Sequence, residues 1–164
     1  MTSTIRPAVE ADLDSINRVI KAAVMTWELP ERVKRLSLPS YYYTALDLEH
    51  LDIIVAEDDQ QHIIGVAAWE PADARDTPAG SSALLLHGLY VDPPRQRQGI
   101  GRRLFEAAET AAGRHQYHGL LTRVQETASG FFLAQGMNRL PVEDPGHQYA
   151  NRFWKSIARR RAQP

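Results

Sequence analysis

One continuous run constrains this chain more than any other: Leu89-Tyr90-Val91-Asp92-Pro93-Pro94-Arg95-Gln96-Arg97-Gln98-Gly99-Ile100-Gly101-Arg102-Arg103-Leu104-Phe105. An apolar strand enters a proline-braced, arginine-rich loop, and two glycines then open a strongly periodic helix. A strand delivered into a helix in this way calls for a sheet with helices packed on it. The start of that helix has chemistry of its own. Its unpaired backbone N–H groups carry roughly +0.5 of a charge, which suits an anion. Glycines at 99 and 101 remove the side chains that would hold a phosphate off the backbone. Arg95, Arg97, Arg102 and Arg103 place permanent positive charge around the same loop. The run reads as a pyrophosphate site at the mouth of a helix.

The basic cluster is local. Formal net charge is -1 over 164 residues, 24% of them charged and 43% hydrophobic. Nothing pulls the whole molecule towards nucleic acid or an anionic membrane, and local charge suits a small anion. The chain reads as one domain, 1–164, long enough to bury about two-thirds of its unfolded surface. Zero cysteines exclude disulfides, thiolate metal sites and a cysteine nucleophile. Met1 to Asp14 carries acids and no apolar run, unlike a signal peptide. No stretch approaches the roughly 18 apolar residues that span a bilayer. The expectation is a cytoplasmic protein that binds neither membrane nor nucleic acid. His115, His118 and His147 have no acid pair or cysteine at a useful spacing, so no metal is expected. Arg159-Arg160-Arg161 reads either as a solvated tail or as a contact for phosphate or an acidic partner.

Periodicity gives the elements. Thr4 to Arg6 is a short strand stopped by Pro7, and Leu13, Ile16, Ile20 and Val24 space a helix over Asp12 to Met25. Pro30 and Pro39 break the next region, before a helical Ala45 to His50. Ile53 to Ala56 and Ile63 to Trp69 form a hairpin about the turn at Asp58-Asp59-Gln60. Pro71 to Ser82 is a surface loop, and Leu84 to Val91 is a long apolar strand. Ile100, Leu104, Ala107, Ala108 and Ala111 stripe a helix with small residues that allow close packing on a sheet. Leu120 to Val124 is a strand, and Ser129 to Gln135 a short helix ended by Gly136. A last strand contains Arg152-Phe153-Trp154. The order is mixed α/β, with antiparallel hairpins early and a crossover helix later. A terminal strand at a sheet edge would favour a homodimer.

Three glycine-rich phosphate motifs compete for the loop. Gly99-Ile100-Gly101-Arg102-Arg103-Leu104 starts like a dinucleotide fingerprint but has Leu104 at the third glycine. Gly99 also lies eight positions after Val91, too far for that fold's tight turn. A P-loop needs a Gly-Lys-Ser/Thr ending, which is missing here. The third motif fits at every position. Gln96-Arg97-Gln98-Gly99-Ile100-Gly101 resembles the Gln/Arg-x-x-Gly-x-Gly/Ala signature of the GNAT superfamily of acyl-CoA-dependent N-acetyltransferases. Leu89 to Pro93 is similar to the end of that family's fourth strand. Ala128-Ser129-Gly130-Phe131-Phe132-Leu133-Ala134-Gln135-Gly136-Met137 resembles its later Ala-x-x-Phe-Tyr-x-x-x-Gly-Phe segment. In element order the likeness runs through nearly the whole chain.

The resemblance implies a GNAT-like mixed sheet splayed at strands four and five and flanked by helices. It implies acetyl-CoA as co-substrate, wedged between those strands. The pantetheine arm would pair with Leu89, Tyr90 and Val91, and the pyrophosphate would sit on the loop Gln96, Arg97, Gln98, Gly99, Ile100, Gly101 and Arg102. A backbone N–H near Leu89 would polarise the thioester carbonyl, as an oxyanion hole does. An amine would attack directly in a ternary complex. The family's frequent proton donor, the Tyr of the second motif, is Phe132 here, which can pack but cannot donate. Its asparagine is Gln125, which can still hydrogen-bond the pantetheine arm.

That chemistry sets a requirement. An alkyl amine of pKa near 10.4 is neutral at only about one part in a thousand at pH 7, or less. A base must take its proton, directly or through water, and the thiolate must gain one. His87, with an ordinary pKa near 6.5, has two readings: that base, or a structural strand histidine. Tyr90 reads as packing or as part of the site, depending on which face it takes. Trp27, Glu28 and Tyr41 to Tyr43 read as a cover for the acceptor, where aromatics can cage a cation, or as a helix-packing cluster. Trp69 and Glu70 are open in the same way. Phe132 also keeps a rival function in view, a non-catalytic acyl-CoA-binding or sensing domain. A non-amine acceptor or a longer acyl group is a further alternative.

Overall fold

The hydrophobic periods of the sequence become seven strands and five α-helices in the computed structural model, which describes residues 3–125, 128–146 and 148–158. In chain order they are β1 (Thr4–Pro7), α1 (Leu13–Met25), α2 (Glu31–Tyr41), α3 (Ala45–His50), β2 (Asp52–Glu57), β3 (Ile63–Pro71), β4 (Ala83–Val91), α4 (Ile100–Arg114), β5 (Gly119–Arg123), α5 (Ser129–Ala134), β6 (Asn138–Arg139) and β7 (Arg152–Ser156). The strands form one mixed sheet in the order β1-β2-β3-β4-β5-β7-β6. β1 and β2 pair antiparallel, β4 and β5 parallel, and β7 pairs antiparallel with both β5 and β6. The chain groups into two compact units, Met1–Ala68 with Gly88–Leu104, and Trp69–His87 with Phe105–Pro164.

In the first unit, α1 buries the stripe Ile16, Val19, Ile20, Ala23 and Val24 against Ile53, Val55, Ile63 and Val66 of the hairpin strands. Asp12 fixes the entry to that helix. Its carboxylate accepts from the Val9 amide at 2.8 Å and from both Arg6 terminal nitrogens at 2.8 and 2.9 Å. The Arg6 guanidinium holds Asp12 below the usual carboxylate range, and Asp12 and Glu57 together push Arg6 up. α3 starts with a reciprocal cap, Thr44 Oγ1 accepting from the Asp47 amide and Asp47 Oδ2 accepting from the Thr44 amide. In the second unit, α4 buries Phe105, Ala108 and Ala112, and β5 buries Leu120 and Leu121. The parallel ladder runs from Ala83↔Gly119 to Leu86↔Thr122.

Three expectations change. Pro39 does not break the chain but lies inside the last turn of α2. Proline there forfeits the one bond its own N–H would make to the Arg35 carbonyl, and the helix ends two residues later. β1 includes Pro7 rather than stopping before it, which an edge strand tolerates because one row of N–H groups is unpaired anyway. β6 was not foreseen, and it makes β7 an interior strand. The terminal strand that does lie at an edge is β1. Among the described residues, no helix is long and apolar enough to cross a membrane.

Candidate functional site

The loop between β4 and α4 is built by main-chain geometry. Asp92 ends β4, its amide donating to the Ile64 carbonyl at 2.9 Å and its carboxylate lying 3.5 Å from Arg18. Pro93 to Arg95 make one 3-10 turn, closed by the Arg95 amide on the Asp92 carbonyl at 2.8 Å. Gln96 then turns its side-chain amide back onto the Val91 carbonyl at 3.3 Å, bracing the loop across its base. Arg97 and Gly99 both take left-handed backbone angles, φ +65° and +83°. The Gly99 carbonyl accepts the Arg103 amide at 3.1 Å, so Gly99 is the residue from which α4 grows. A helix start directs its first-turn N–H groups outward, here those of Ile100, Gly101 and Arg102.

Gln96, Arg97, Gln98 and Gly99 are all exposed. A Cβ added at Gly99 would meet no heavy atom within 4 Å. The glycine is therefore required by its φ and leaves the approach to the backbone open. Arg97, Arg102 and Arg103 are exposed at the loop and first turn. Arg95 is drawn to Asp58 at 3.0 Å, a carboxylate held below its usual range by the His62 and Gln60 amides. Arg103 donates to the carbonyl of Ser3 at 2.6 Å and to its hydroxyl.

Two strand glycines outside the phosphate motif, Gly65 and Gly88, also set this geometry. A Cβ at Gly65 on β3 would sit 3.0 Å from Leu104 Cδ1 and 3.1 Å from Ile100 Cγ2. Gly65 thus seats the first turn of α4 close on the sheet. A Cβ at Gly88 would sit 2.6 Å from Tyr43 Oη and 2.8 Å from Tyr90 Cε2. Two tyrosine side chains therefore cover the β4 backbone beside Leu89. A lone glycine inside a strand pattern was the available signal for both.

In the first unit, Leu89 and Tyr90 are half-buried and Val91 is buried. The Tyr90 ring packs against the core, and burial, then Tyr41, pushes its hydroxyl pKa up. Trp27 meets Tyr41 edge-on at 5.4 Å, both half-buried, while Glu28 is exposed. Asn17 clamps Tyr43, donating to its carbonyl and accepting from its amide, both at 2.9 Å. In the second unit, His87 is exposed immediately after the last β4–β5 register pair. Trp69 is buried on β3 and Gln125 is exposed after β5. Phe132 is buried, its ring 5.1 Å from Phe131 and 6.3 Å from Phe105. His118 Nδ1 accepts from the Ser82 amide at 2.9 Å. No group of metal-ligating side chains gathers among the described residues. His147 and Arg159 to Arg161 lie outside the described residues.

The sequence model of the acetyltransferase (GNAT) domain matches residues 49–136, more than half of the chain. The chain belongs to the GNAT acetyltransferase family. Solved GNAT structures share its fold. A PaiA N-acetyltransferase from Thermoplasma acidophilum, in complex with coenzyme A, superposes with a TM-score of 0.73 at 16% identity, covering 94% of this chain and 97% of that one. A GCN5-related N-acetyltransferase from Rhodopseudomonas palustris gives 0.72 at 22% identity, over 96% and 97%. AtaTR bound with AcCoA gives 0.62 at 18% identity, over 94% and 92%. No curated protein matches the sequence.

Proposed function

We propose that this GNAT protein, acting as a single domain, moves an acetyl group from acetyl-CoA to a primary amine by direct attack in a ternary complex. The observation that carries the reading is the loop from Gln96 to Gly99, whose left-handed Arg97 and Gly99 lead into the open first turn of α4. The pyrophosphate lies on the loop and on the amides of Ile100, Gly101 and Arg102, with Arg97 and Arg102 beside it. The pantetheine arm runs along Leu89 to Val91. Support for this placement comes from β4 itself, which runs on to Val91 with Leu89 and Tyr90 half-buried. The Leu89 amide polarises the thioester carbonyl. The structures bound to coenzyme A or AcCoA have the same fold.

In the transfer, the amine nitrogen bonds to the acetyl carbon and the carbon–sulfur bond breaks, its electron pair leaving on sulfur. His87 takes the proton that the amine gives up, directly or through water. Phe132 offers no proton, so the CoA thiolate collects one from solvent. Trp27, Glu28, Tyr41 and Trp69 are the residues this reading gives to the acceptor. The test is a calorimetric titration of the full chain with acetyl-CoA, followed by free-thiol detection across a panel of amines. No binding at millimolar acetyl-CoA would sink the proposal. The second reading, an acyl-CoA-binding or sensing domain, is favoured by the hydroxyl-free, packed Phe132. Tight binding with no turnover on any amine selects it.

A further inference from the structure

A cavity of about 290 Å³ lies within the second unit, lined by Asp73, Arg75, Asp76, Arg123, Gln148 and Tyr149. That is just below the roughly 300–1,000 Å³ usual for drug-sized ligands, and so suits a smaller molecule. Asp76, on the loop after β3, is only 5% exposed. Its backbone carbonyl accepts from Arg152 Nη1, and its Oδ2 accepts from Arg123 Nη2 at 3.1 Å. Its Oδ1 is buried and, among the described residues, has no hydrogen-bond partner. A desolvated carboxylate oxygen without a donor is costly, and it marks a place where a missing partner would bind.

The charges around the cavity narrow what that partner is. Arg152 is 3% exposed and spends its guanidinium on neutral acceptors, among them the Pro141 carbonyl and Gln148 Oε1. Arg75 is paired with Asp73 at 3.0 Å. The cavity and its wall thus hold three guanidinium groups, of Arg75, Arg123 and Arg152, against the carboxylates of Asp73 and Asp76. Arg123 lies over the Tyr149 ring, 3.8 Å from its centroid, and its side chain is 40% exposed. Arg123 is bonded to the oxygen beside the unpartnered one, whereas the more exposed Arg75 is held by both oxygens of Asp73. We infer that this cavity binds a free amino acid, its ammonium on Asp76 and its carboxylate on Arg123.

A simple amine would satisfy Asp76 but strand Arg123 amid an excess of positive charge. A simple carboxylate would draw off Arg123 and leave both Asp76 oxygens without a donor. An amino acid carries both groups and replaces one internal ion pair with two intermolecular ones. Arg123 turns from Oδ2 to the ligand carboxylate, and the carboxylate of Asp76, opened by that turn, receives the ammonium. This site goes beyond the acyl-transfer reading and stands without it.

The experiment is calorimetry on the full chain without CoA, using glycine, L-alanine, L-glutamine, L-lysine and L-phenylalanine. Each is paired with the two analogues that lack either its carboxylate or its α-amino group. At least one amino acid is expected to saturate the protein at least tenfold more tightly than both of its analogues. Asp76→Asn keeps the side-chain shape and should weaken that binding at least tenfold. Arg123→Gln, at a partly exposed position, should do the same and serves if the first variant fails to fold. CoA titrations of both variants should match the parent. The inference is overturned if none of the five binds at tens of millimolar, if the analogues bind equally, or if both variants bind like the parent. A parent that fails to bind CoA counts against the acyl-CoA reading alone.

Discussion

Gly99 and Gly80 offer a matched pair for testing the phosphate loop. Their φ angles are +83° and +76°, and a Cβ added at either would meet no heavy atom within 4 Å. Alanine at each position therefore brings the same left-handed penalty, roughly 1–2 kcal/mol, and no clash. Restriction of the unfolded chain offsets about 0.4–1 kcal/mol of it, leaving a net loss on the order of 1 kcal/mol. For a chain of this size that lowers the melting temperature by about 2–4 °C. Only at Gly99 does the new methyl stand where a phosphate would approach the start of α4. Loss of one hydrogen bond to a charged group there costs about 1.5–3 kcal/mol, a ten- to hundredfold rise in Kd for CoA. Thermal melts of Gly99→Ala and Gly80→Ala should coincide, while calorimetric titration with CoA should separate them. If Gly80→Ala weakens CoA binding equally, or Gly99→Ala binds it like the parent, this loop is not the phosphate site.

The other perturbations read different parts of the structure. Gly65→Val places a branched side chain at a position where even Cβ comes within 3.0 Å of Leu104. Urea unfolding should show a loss of about 1–3 kcal/mol from over-packing, accompanied by weaker CoA binding as the start of α4 is pushed off the sheet. Asp12→Asn removes the charge bound by Arg6 and should cost about 1.5–3 kcal/mol at pH 7. Because the folded-state pKa of Asp12 is lowered, that stabilisation is complete above the unfolded pKa of about 3.9. It is lost as pH falls through the lower folded value, so melts of parent and variant should converge only in strong acid. His87→Ala should lower kcat while leaving CoA affinity intact, and should remove the acidic limb of the pH–rate profile. An unchanged profile removes His87 from the mechanism.

Local pattern carried most of the fold. The spacing of Leu13, Ile16, Ile20 and Val24 predicts a helix over Asp12 to Met25, and α1 spans Leu13–Met25. The hairpin of β2 and β3 was equally legible, since strand, turn and strand lie within one short stretch. β6 was not, because two residues acquire strand character only by pairing with Phe153 and Trp154. The same distinction divides the candidate site. The backbone shape of Gln96 to Gly101 is fixed by neighbours in sequence, so the motif announces it. The fates of Arg95 and Arg103 are not, because their partners lie 37 and 100 positions away, at Asp58 and Ser3. Four arginines look alike in the sequence, and it takes partners far along the chain to place Arg95 and Arg103.

The contrast between main-chain and side-chain function bears on why the proton donor is hard to read. Phosphate binding at the start of α4 needs backbone angles, which the left-handed Arg97 and Gly99 supply with little demand on the other loop residues. Proton transfer instead needs one hydroxyl, imidazole or carboxylate at one distance from a reacting atom. At the motif position where a hydroxyl was expected, Phe132 packs its ring against Phe131 and Phe105. A tyrosine hydroxyl placed there would need its own polar partner in a buried aromatic cluster. Loss of the hydroxyl is therefore compatible with the packing of α5, while the transfer chemistry still requires a proton for the thiolate. Other tyrosines crowd β4 at Gly88, where a Cβ would lie 2.6 Å from Tyr43 Oη. Aromatic side chains thus take two places: Phe132 is core, and Tyr43 and Tyr90 lie against the strand that the reading gives to the thioester. The loop motif makes no demand on either, because the donors that the reading gives it belong to the backbone.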